Sequence, residues 1–559
     1  MVSNPSIISK NEEALEKKLS AMSMKRSEEE SSLLAQKLKL PFSLLKSTPV
    51  DGSALALIDE ATARAAGLAV ILKNTNKLTI AILNPENPTS KKVLGSLRDA
   101  GNQLYLIITT SKTLTMIWKR YGTTKKVQSY EAGTIEIQES ELEKLYNQIS
   151  NVSDLKSRFE RVSTTQLLET LIAGALKIGA SDIHLEPESQ QSKLRYRLDG
   201  LLSNITTIDK KSYEKLLGRV KVLAKMRLNI HKGAQDGRFT IKLQSADVEV
   251  RVSVLPSEFG EAIVMRLLDP RNVKPTLEDL GIRKDMLELI KSQLSRPTGS
   301  ILTTGPTGSG KTTTLYAFVR YLNVPGTKII TIEDPIEYHL TGTSQTQVDP
   351  AGGYTFANGL RAIVRQDPDI ILVGEIRDQE TAEIALNAAL TGHLVLSTIH
   401  TNNAAGTIPR LIDLGINPQI IAPAVNIAMG QRLLRKLCSN CRVKTKVSKD
   451  ILEKIKKELD PIKTKFSQAD VGKSLEIYQA GHCDQCNNLG YKGRIGVYEA
   501  FVVSKTIEKM ILTSPAISDV EELAIQEGMV TMLQDAYLKL LEGVTSIDEI
   551  DRILGLSSK

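Results

Sequence analysis

The sequence predicts a multidomain α/β protein, and three observations carry that reading. Four short apolar runs, GSILTTG, KIITIED, DIILVGE and HLVLSTIH, alternate with helical stretches such as TAEIALNAALTG between residues 299 and 400, the order of a mostly parallel sheet covered on both faces. Residues 305–312 read GPTGSGKT and fit the phosphate-loop pattern without substitution. Residues 181–256 hold four more segments, SDIHLEP, KLRYRLDG, GRFTIKL and ADVEVRVSVLP, whose alternation predicts an antiparallel sheet. At 559 residues the chain is too long for a single core.

Composition is that of a globular protein, 41% hydrophobic and 24% charged with one Trp. The formal net charge of +8 permits an anionic partner without requiring one. No apolar run reaches the roughly 18 residues of a membrane-spanning helix. The first residues, MVSNPSIISKNEEALEKK, carry acids where a signal peptide is apolar, so a cytoplasmic location is expected.

Taken in order, residues 1–46 are charge-rich and predict a flexible arm. Residues 47–125 change to a small α/β unit, in which IDEATARAAGLAVILK, KLTIAILNPEN and SKKVLGSLRDAG read as helix and strands; this is the expected docking domain. Residues 126–152 predict a linker. Residues 153–272 form the second α/β unit, led by the helix TTQLLETLIAGALKIGA and rich in arginine at Arg195, Arg197, Arg238, Arg251 and Arg266. Each arginine alone fits a solvated strand face; together, beside a nucleotide domain, they fit groups that reach phosphates across a cleft or subunit boundary. Residues 273–437 make the nucleotide domain, 438–500 a cysteine-bearing subdomain and 501–559 a helical tail.

The loop defines a binding set of Gly305, Pro306, Thr307, Gly308, Ser309, Gly310, Lys311, Thr312 and Thr313. Its glycines let backbone N–H groups turn onto phosphate oxygens, Lys311 adds a point charge, and the Thr312 hydroxyl suits Mg²⁺. ATP with Mg²⁺ is the expected ligand pair. DIILVGE delivers Glu375 in the manner of a Walker B strand, although Gly374 stands where an aspartate is common, so Mg²⁺ is expected to be held through Glu375 by way of water. KIITIEDPIEY delivers Glu333, Asp334 and Glu337. Either Glu333 or Glu375 can orient the attacking water, while Asp334 and Glu337 also fit a helix or turn start capped by their carboxylates. His400, at the end of an apolar run, is placed to bond or sense a γ-phosphate; His393 fits a structural role equally well. Arg361 and Arg365, one helical turn apart, suit either surface ion pairs or a neighbouring subunit's nucleotide.

All four cysteines fall in two pairs, Cys438-x-x-Cys441 and Cys483-x-x-Cys486. Two such knuckles supply four thiolates for a closed tetrahedral Zn²⁺ site, with redox chemistry the weaker alternative. His482 is not needed.

With these residues assembled, the chain resembles the secretion-superfamily hexameric ATPases, the type IV pilus assembly and type II secretion motors. Besides GPTGSGKT, the resemblance rests on ASDIHLEP, QDGRF, RVSVLPSEFGEAIVMRLLD, TIEDPIEY, RQDPDIILVGEIRDQETAEIALNAALTGHLVLSTIHTN, both cysteine pairs and GYKGRIGVYE. It implies a RecA-like domain, a PAS-like α/β lobe packed over it, a homohexameric ring, and an atypical Walker B strand at Glu375. Arg238, Arg251 and Arg266 fall in motifs whose arginines approach nucleotide phosphates in that family. The tetracysteine insertion favours extension or secretion over retraction. The implied partner is a platform protein of the inner membrane, bound from the cytoplasmic side without direct contact to nucleic acid. No copy of the family's cyclic di-GMP motif is found. The alternative function, a nucleic-acid translocase or DNA-uptake motor, takes support from the basic balance and the knuckles. Scarce aromatic residues oppose it.

Overall fold

The computed structural model describes residues 26–44, 51–55, 57–74, 77–121, 133–136, 155, 159, 166–243, 246–272, 276–472 and 474–555, which fall into two units divided after residue 131. In the first unit, strands β1 (Leu68–Asn74), β2 (Lys77–Ile82) and β3 (Gln103–Ile108) form a sheet in which β1 is antiparallel to β2 and β2 parallel to β3. Helix Pro88–Asp99 makes the β2–β3 crossover; Asn87 caps it by accepting the Thr89 N–H, and proline stands at its first position. The expectation of a flexible arm is corrected in part. Residues 26–38 are helical, Ala35 is buried in this unit's core, and Leu38, Leu40 and Phe42 pack against the same core. The apolar Ala35/Leu38 pair, three residues apart, is enough to dock a helix whose other faces are charged. The rest of the expected arm lies outside the described residues.

The second unit holds two seven-stranded sheets. The first consists of β4 (Thr134–Glu136), β5 (Asp182–Pro187), β6 (Gln191–Leu198), β7 (Leu201–Asp209), β8 (Gln235–Lys242), β9 (Asp247–Ser257) and β10 (Gly260–Leu268), in the order β4-β8-β9-β10-β5-β6-β7. All pairings are antiparallel except β4 with β8. Seven strands thus stand where the pattern predicts four: β7 is half exposed and alternates weakly, and β4 falls inside the stretch expected as linker, whose remaining residues 126–132 and 137–152 lie outside the described ones. Helices Leu167–Ile178 and Lys210–Leu223 contribute to the core beside the sheet's apolar face. The strict alternation of β9, in which Val248, Val250, Val252 and Val254 are buried, leaves Glu249 and Arg251 on the opposite face.

The other sheet is formed by β11 (Gly299–Thr304), β12 (Ile329–Glu333), β13 (Ser344–Gln347), β14 (Ile370–Val373), β15 (Leu394–Ile399), β16 (Val425–Leu437) and, beyond the insertion, a final strand (Tyr491–Val502), in the order β13-β12-β14-β15-β11-β16-final strand. The first six are parallel and the final strand is antiparallel to β16. Every residue of β11, β12, β14 and β15 is buried, because helices cover both faces. Helices Lys284–Leu294 and Lys311–Leu322 share one core; Phe356–Val364, Gln379–Leu390 and Pro418–Ala424 share the other. Each buried Ile, Leu or Val contributes about 1.5–3 kcal/mol.

Between β16 and the final strand runs the cysteine-bearing excursion, with β17 (Val443–Lys446) paired antiparallel to β18 (Glu476–Gln479) and a helix at Lys449–Leu459. The final strand, now β19, belongs to the main sheet, so the excursion ends at residue 490, ten residues before the predicted boundary. Nor is the C-terminal region a detached tail. Ile507, Ile511, Val520 and Ala524 sit in the nucleotide domain's core, while Tyr537, Leu540 and Ile550 pack with Ile455 and Leu459 of the excursion. Its anchor is Glu549, fully buried, which accepts the Arg435 N–H at 3.0 Å, Arg435 Nε at 2.9 Å and Arg552 Nε at 2.8 Å. No helix among the described residues is long and apolar enough to cross a membrane. Glu549→Ala leaves the part-buried Arg435 without its carboxylate and is expected to destabilise this region by up to about 3 kcal/mol, read as a lowered thermal unfolding midpoint.

Candidate functional site

Strands β11, β12, β14 and β15 run parallel, so their C-terminal ends meet on one edge of the sheet, and the phosphate loop, Glu333, Glu375 and His400 all emerge there. The loop turns from β11 into helix Lys311–Leu322 through positive φ angles at Gly305 (148°), Gly308 (79°) and Gly310 (91°), a path open to glycine. A Cβ on Gly305 would stand 2.6 Å from both the Gln431 carbonyl and Ser309 Oγ. Gly310 occupies the helix N-cap and contributes no side-chain cap, so the first-turn amides face outward, as anion binding requires. Lys311 Nζ folds over the loop and donates to the carbonyls of Gly305 (2.8 Å) and Pro306 (3.1 Å). Burial lowers its pKa, opposed by the Glu375 carboxylate. Ser309 Oγ is buried without a hydrogen-bond partner among the described residues. An unpaired hydroxyl, outward amides and a cradle that a single Cβ would fill are what a bound phosphate chain satisfies. Thr307, Gly308, Gly310, Lys311, Thr312 and Thr313 line a cavity of about 970 Å³, whose lining does not include Gly305, Pro306 or Ser309.

The two candidate bases both line this cavity but differ in their partners. Glu333 is buried, and both its oxygens are taken: Oε1 accepts from Thr331 Oγ1 (2.6 Å) and Gln345 Nε2 (3.1 Å), and Oε2 accepts from the Tyr316 hydroxyl. Burial and then this carboxylate push the Tyr316 pKa far up, so the phenol keeps its proton. Glu375 lines the cavity with its side chain 13% exposed, pairs with Arg377, and lies 3.2 Å from His400 Nε2. Thr312 and Glu375 share the cavity wall, and a hydroxyl with a carboxylate is a donor set suited to Mg²⁺. His393 meets the Ala388 carbonyl at 2.9 Å, behind the helix Gln379–Leu390. The alternative of a capped helix start at Asp334 is not what forms: residues 334–340 are irregular, and Glu337 faces Arg251 instead. Arg361 pairs with Glu380 on the surface.

The arginines separate as well. Arg266 lines the cavity together with the loop. Arg251 donates Nη2 to the Ile336 carbonyl at 2.6 Å and lies 3.6 Å from Glu337, tying the antiparallel sheet to the segment after β12. Arg238 is exposed and is not part of the cavity wall. Arg195 pairs with Glu186 and Arg197 with Asp182.

Several contributors escape sequence reasoning. Gln431 Nε2 donates to the Ser309 carbonyl at 2.6 Å and props the loop. Arg432 binds the Asn402 carbonyl at 2.8 Å, two residues past His400. Arg271, Arg377 and Arg494 reach the cavity wall. Arg494 lies in GYKGRIGVYE, so the motif was visible although the residue carried no distinguishing mark.

Away from this cavity, Cys438, Cys441, Cys483 and Cys486 converge with all Sγ atoms within 4.8 Å of one another. The Cys438–Cys483 and Cys441–Cys486 separations are 3.7 Å and the Cys483–Cys486 separation is 3.6 Å. A disulfide would bring sulfurs to about 2.05 Å, whereas a tetrahedron with Zn–S bonds of about 2.3 Å has edges near 3.8 Å. The donor set and spacing fit Zn²⁺.

A parallel sheet with a phosphate loop at its C-terminal edge, roofed by an arginine-bearing antiparallel lobe, defines a phosphate-loop NTPase with an accessory domain. The chain belongs to the type II/IV secretion system protein family, whose model matches residues 159–552. Type II secretion system protein E of Dickeya dadantii is 39% identical over 409 residues, 73% of this chain and 79% of that protein. The type IV pilus assembly ATPase PilB of Thermus thermophilus is 34% identical over 520 residues, 92% of this chain and 56% of that one. Among solved structures, the ATPase DotB of Legionella pneumophila superposes with a TM-score of 0.51 at 20% identity, covering 70% of this chain and 96% of its own, a likeness of fold. Gly305→Ala is expected to weaken ATP binding at least about tenfold, because a bound phosphate chain tolerates little displacement of its cradle. Equilibrium titration with a fluorescent ATP analogue reads this, with circular dichroism as the check on folding.

Proposed function

We propose that the chain is the ATP-hydrolysing motor that powers assembly of a type IV pilus or type II secretion pseudopilus, working as a homohexamer against a platform protein at the cytoplasmic face of the inner membrane. The observation that supports this most is the shared cavity: loop, Glu375, His400 and Arg266 line one wall-to-wall site built from two lobes, so its occupancy bears on how the lobes sit.

In the reaction, water attacks the γ-phosphorus of ATP, the bond to the β–γ bridging oxygen breaks, and ADP leaves with its negative charge. Both carboxylates line the cavity, and Glu375 orients the water and takes its proton, since among the described residues one of its oxygens meets His400 alone whereas both oxygens of Glu333 are taken. Glu333, saturated by Thr331, Gln345 and Tyr316, holds the segment after β12 in place. His400 touches Glu375 and is set to register the γ-phosphate. Lys311, released from the loop carbonyls, meets the phosphates, and Arg266 adds charge from the second lobe. Arg238, exposed and off its own cavity wall, is available to a neighbouring subunit. Thr312, with Glu375 by way of water, would hold Mg²⁺, which when bound would neutralise phosphate charge. Cys438, Cys441, Cys483 and Cys486 would hold Zn²⁺, closing the excursion structurally.

Lys311→Ala is expected to abolish ATP turnover in the purified chain, measured by phosphate release; turnover at the parental rate would overturn the assignment of the loop. Elemental analysis is expected to find about one zinc per chain, lost in Cys483→Ser together with thermal stability of the 438–490 excursion.

A further inference from the structure

On the polar face of the antiparallel sheet, the register of β8, β9, β10, β5 and β6 aligns Arg238, Arg251, Arg266, Asp182 and Arg197 in one row. Directly opposed like charges destabilise a sheet by up to about 1 kcal/mol per pair, so four guanidinium groups and one carboxylate in line need an organiser. Asp182 sits between Arg266 and Arg197 with its side chain only 4% exposed, although it lies on the face away from the core. Its Oδ1 accepts from Arg266 Nε at 2.9 Å; its Oδ2 accepts from Ser181 Oγ at 2.8 Å and lies 3.2 Å from Arg197 Nε. Burial raises the Asp182 pKa, but these donors and charges outweigh it and keep the group ionised.

The attachment of Arg266 is one-sided. It is held at Nε alone, its Nη atoms make no hydrogen bond among the described residues, and its side chain is 57% exposed at the wall of the loop's cavity. A guanidinium gripped at one edge keeps its remaining donors for a second anion and loses little freedom on meeting it. A purely structural pair would be expected to spend the fork on the carboxylate, as Arg435, away from the cavity, does by giving both Nε and Nη2 to Glu549.

We infer that Asp182 is a positioning residue for ATP hydrolysis: it fixes the Arg266 guanidinium so that its Nη donors face the phosphate end of the cavity. The inference rests on the reading of Arg266 as a phosphate contact. Asp182 touches no substrate; it acts through Arg266, and the charge it places there is worth most as the leaving phosphate develops its own.

The test uses the full chain with Asp182→Asn, Arg266→Ala and both together, measuring kcat and KM for ATP, the affinities of fluorescent ATP and ADP analogues, and the unfolding midpoint. Asp182→Asn is expected to lower kcat by about 10- to 100-fold, the range of a lost orienting partner, with KM changed little and the preference for the triphosphate analogue reduced. The double variant is expected to be no worse than Arg266→Ala, because residues acting as a unit are not additive. Parental kcat and parental ATP-over-ADP preference in Asp182→Asn would overturn the inference, as would effects that multiply in the double variant. Parental behaviour of Arg266→Ala would instead overturn the phosphate role of Arg266 itself. Should Asp182→Asn fail to fold, Asp182→Glu keeps the charge, moves it by one methylene, and carries the same expected and overturning outcomes.

Discussion

Backbone amides that have no partner inside their own helix are the constraint on which this structure depends. The first turn of helix Lys311–Leu322 begins at a glycine with no capping side chain, so its amides are open to an anion from outside the chain. The surroundings hold the loop in shape. Gln431 on β16 holds the Ser309 carbonyl, and Thr304 at the end of β11 is joined to Thr401 past β15. The loop is therefore clamped from the strands on both sides of β11, and any movement of either strand end reaches it directly.

What could be read in the sequence was whatever depends on local pattern. The phosphate loop, the strand ends carrying Glu375 and His400, and the two cysteine pairs are short-range signals, and the structure puts them where the pattern pointed. The equivalence of Glu333 and Glu375 could not be broken that way, because the difference is made by Tyr316, Thr331 and Gln345, brought together by folding. Asp182 was invisible for a related reason. It stands in a quoted motif, but its importance comes from cross-strand register, a property of β5, β6 and β10 jointly. β19 was misassigned because a strand that rejoins a sheet after some fifty residues carries no local mark of where it belongs.

Buried carboxylates organise the C-terminal region as firmly as apolar packing does. Asp535, fully buried, accepts the Tyr498 N–H at 2.8 Å and binds Lys539 at 2.6 Å and Arg283 at 2.9 Å. Glu499 accepts the amides of Ala404 at 2.7 Å and Met532 at 3.0 Å, and burial pushes its pKa up. Through Glu499 the segment four residues beyond His400 is joined to the start of helix Met532–Leu541, so the last helices share hydrogen bonds with the strand edge where the nucleotide site lies. Ion pairs of this kind specify arrangement more than they stabilise it.

Leu437 and Tyr491 are register partners at the outer end of the β16–β19 ladder, and the whole cysteine-bearing excursion departs from and returns to that one point. A short turn could join the two strands there without disturbing a single residue of the nucleotide edge. Yet the excursion is not a detachable cassette: Ile455 and Leu459 share a core with Tyr537, Leu540 and Ile550 of the last helices, so excising it would strip apolar cover from the region that Glu549 anchors. Tied at its neck by the sulfur cluster and along one side by that shared core, it has only its outward face free to diversify for a new companion.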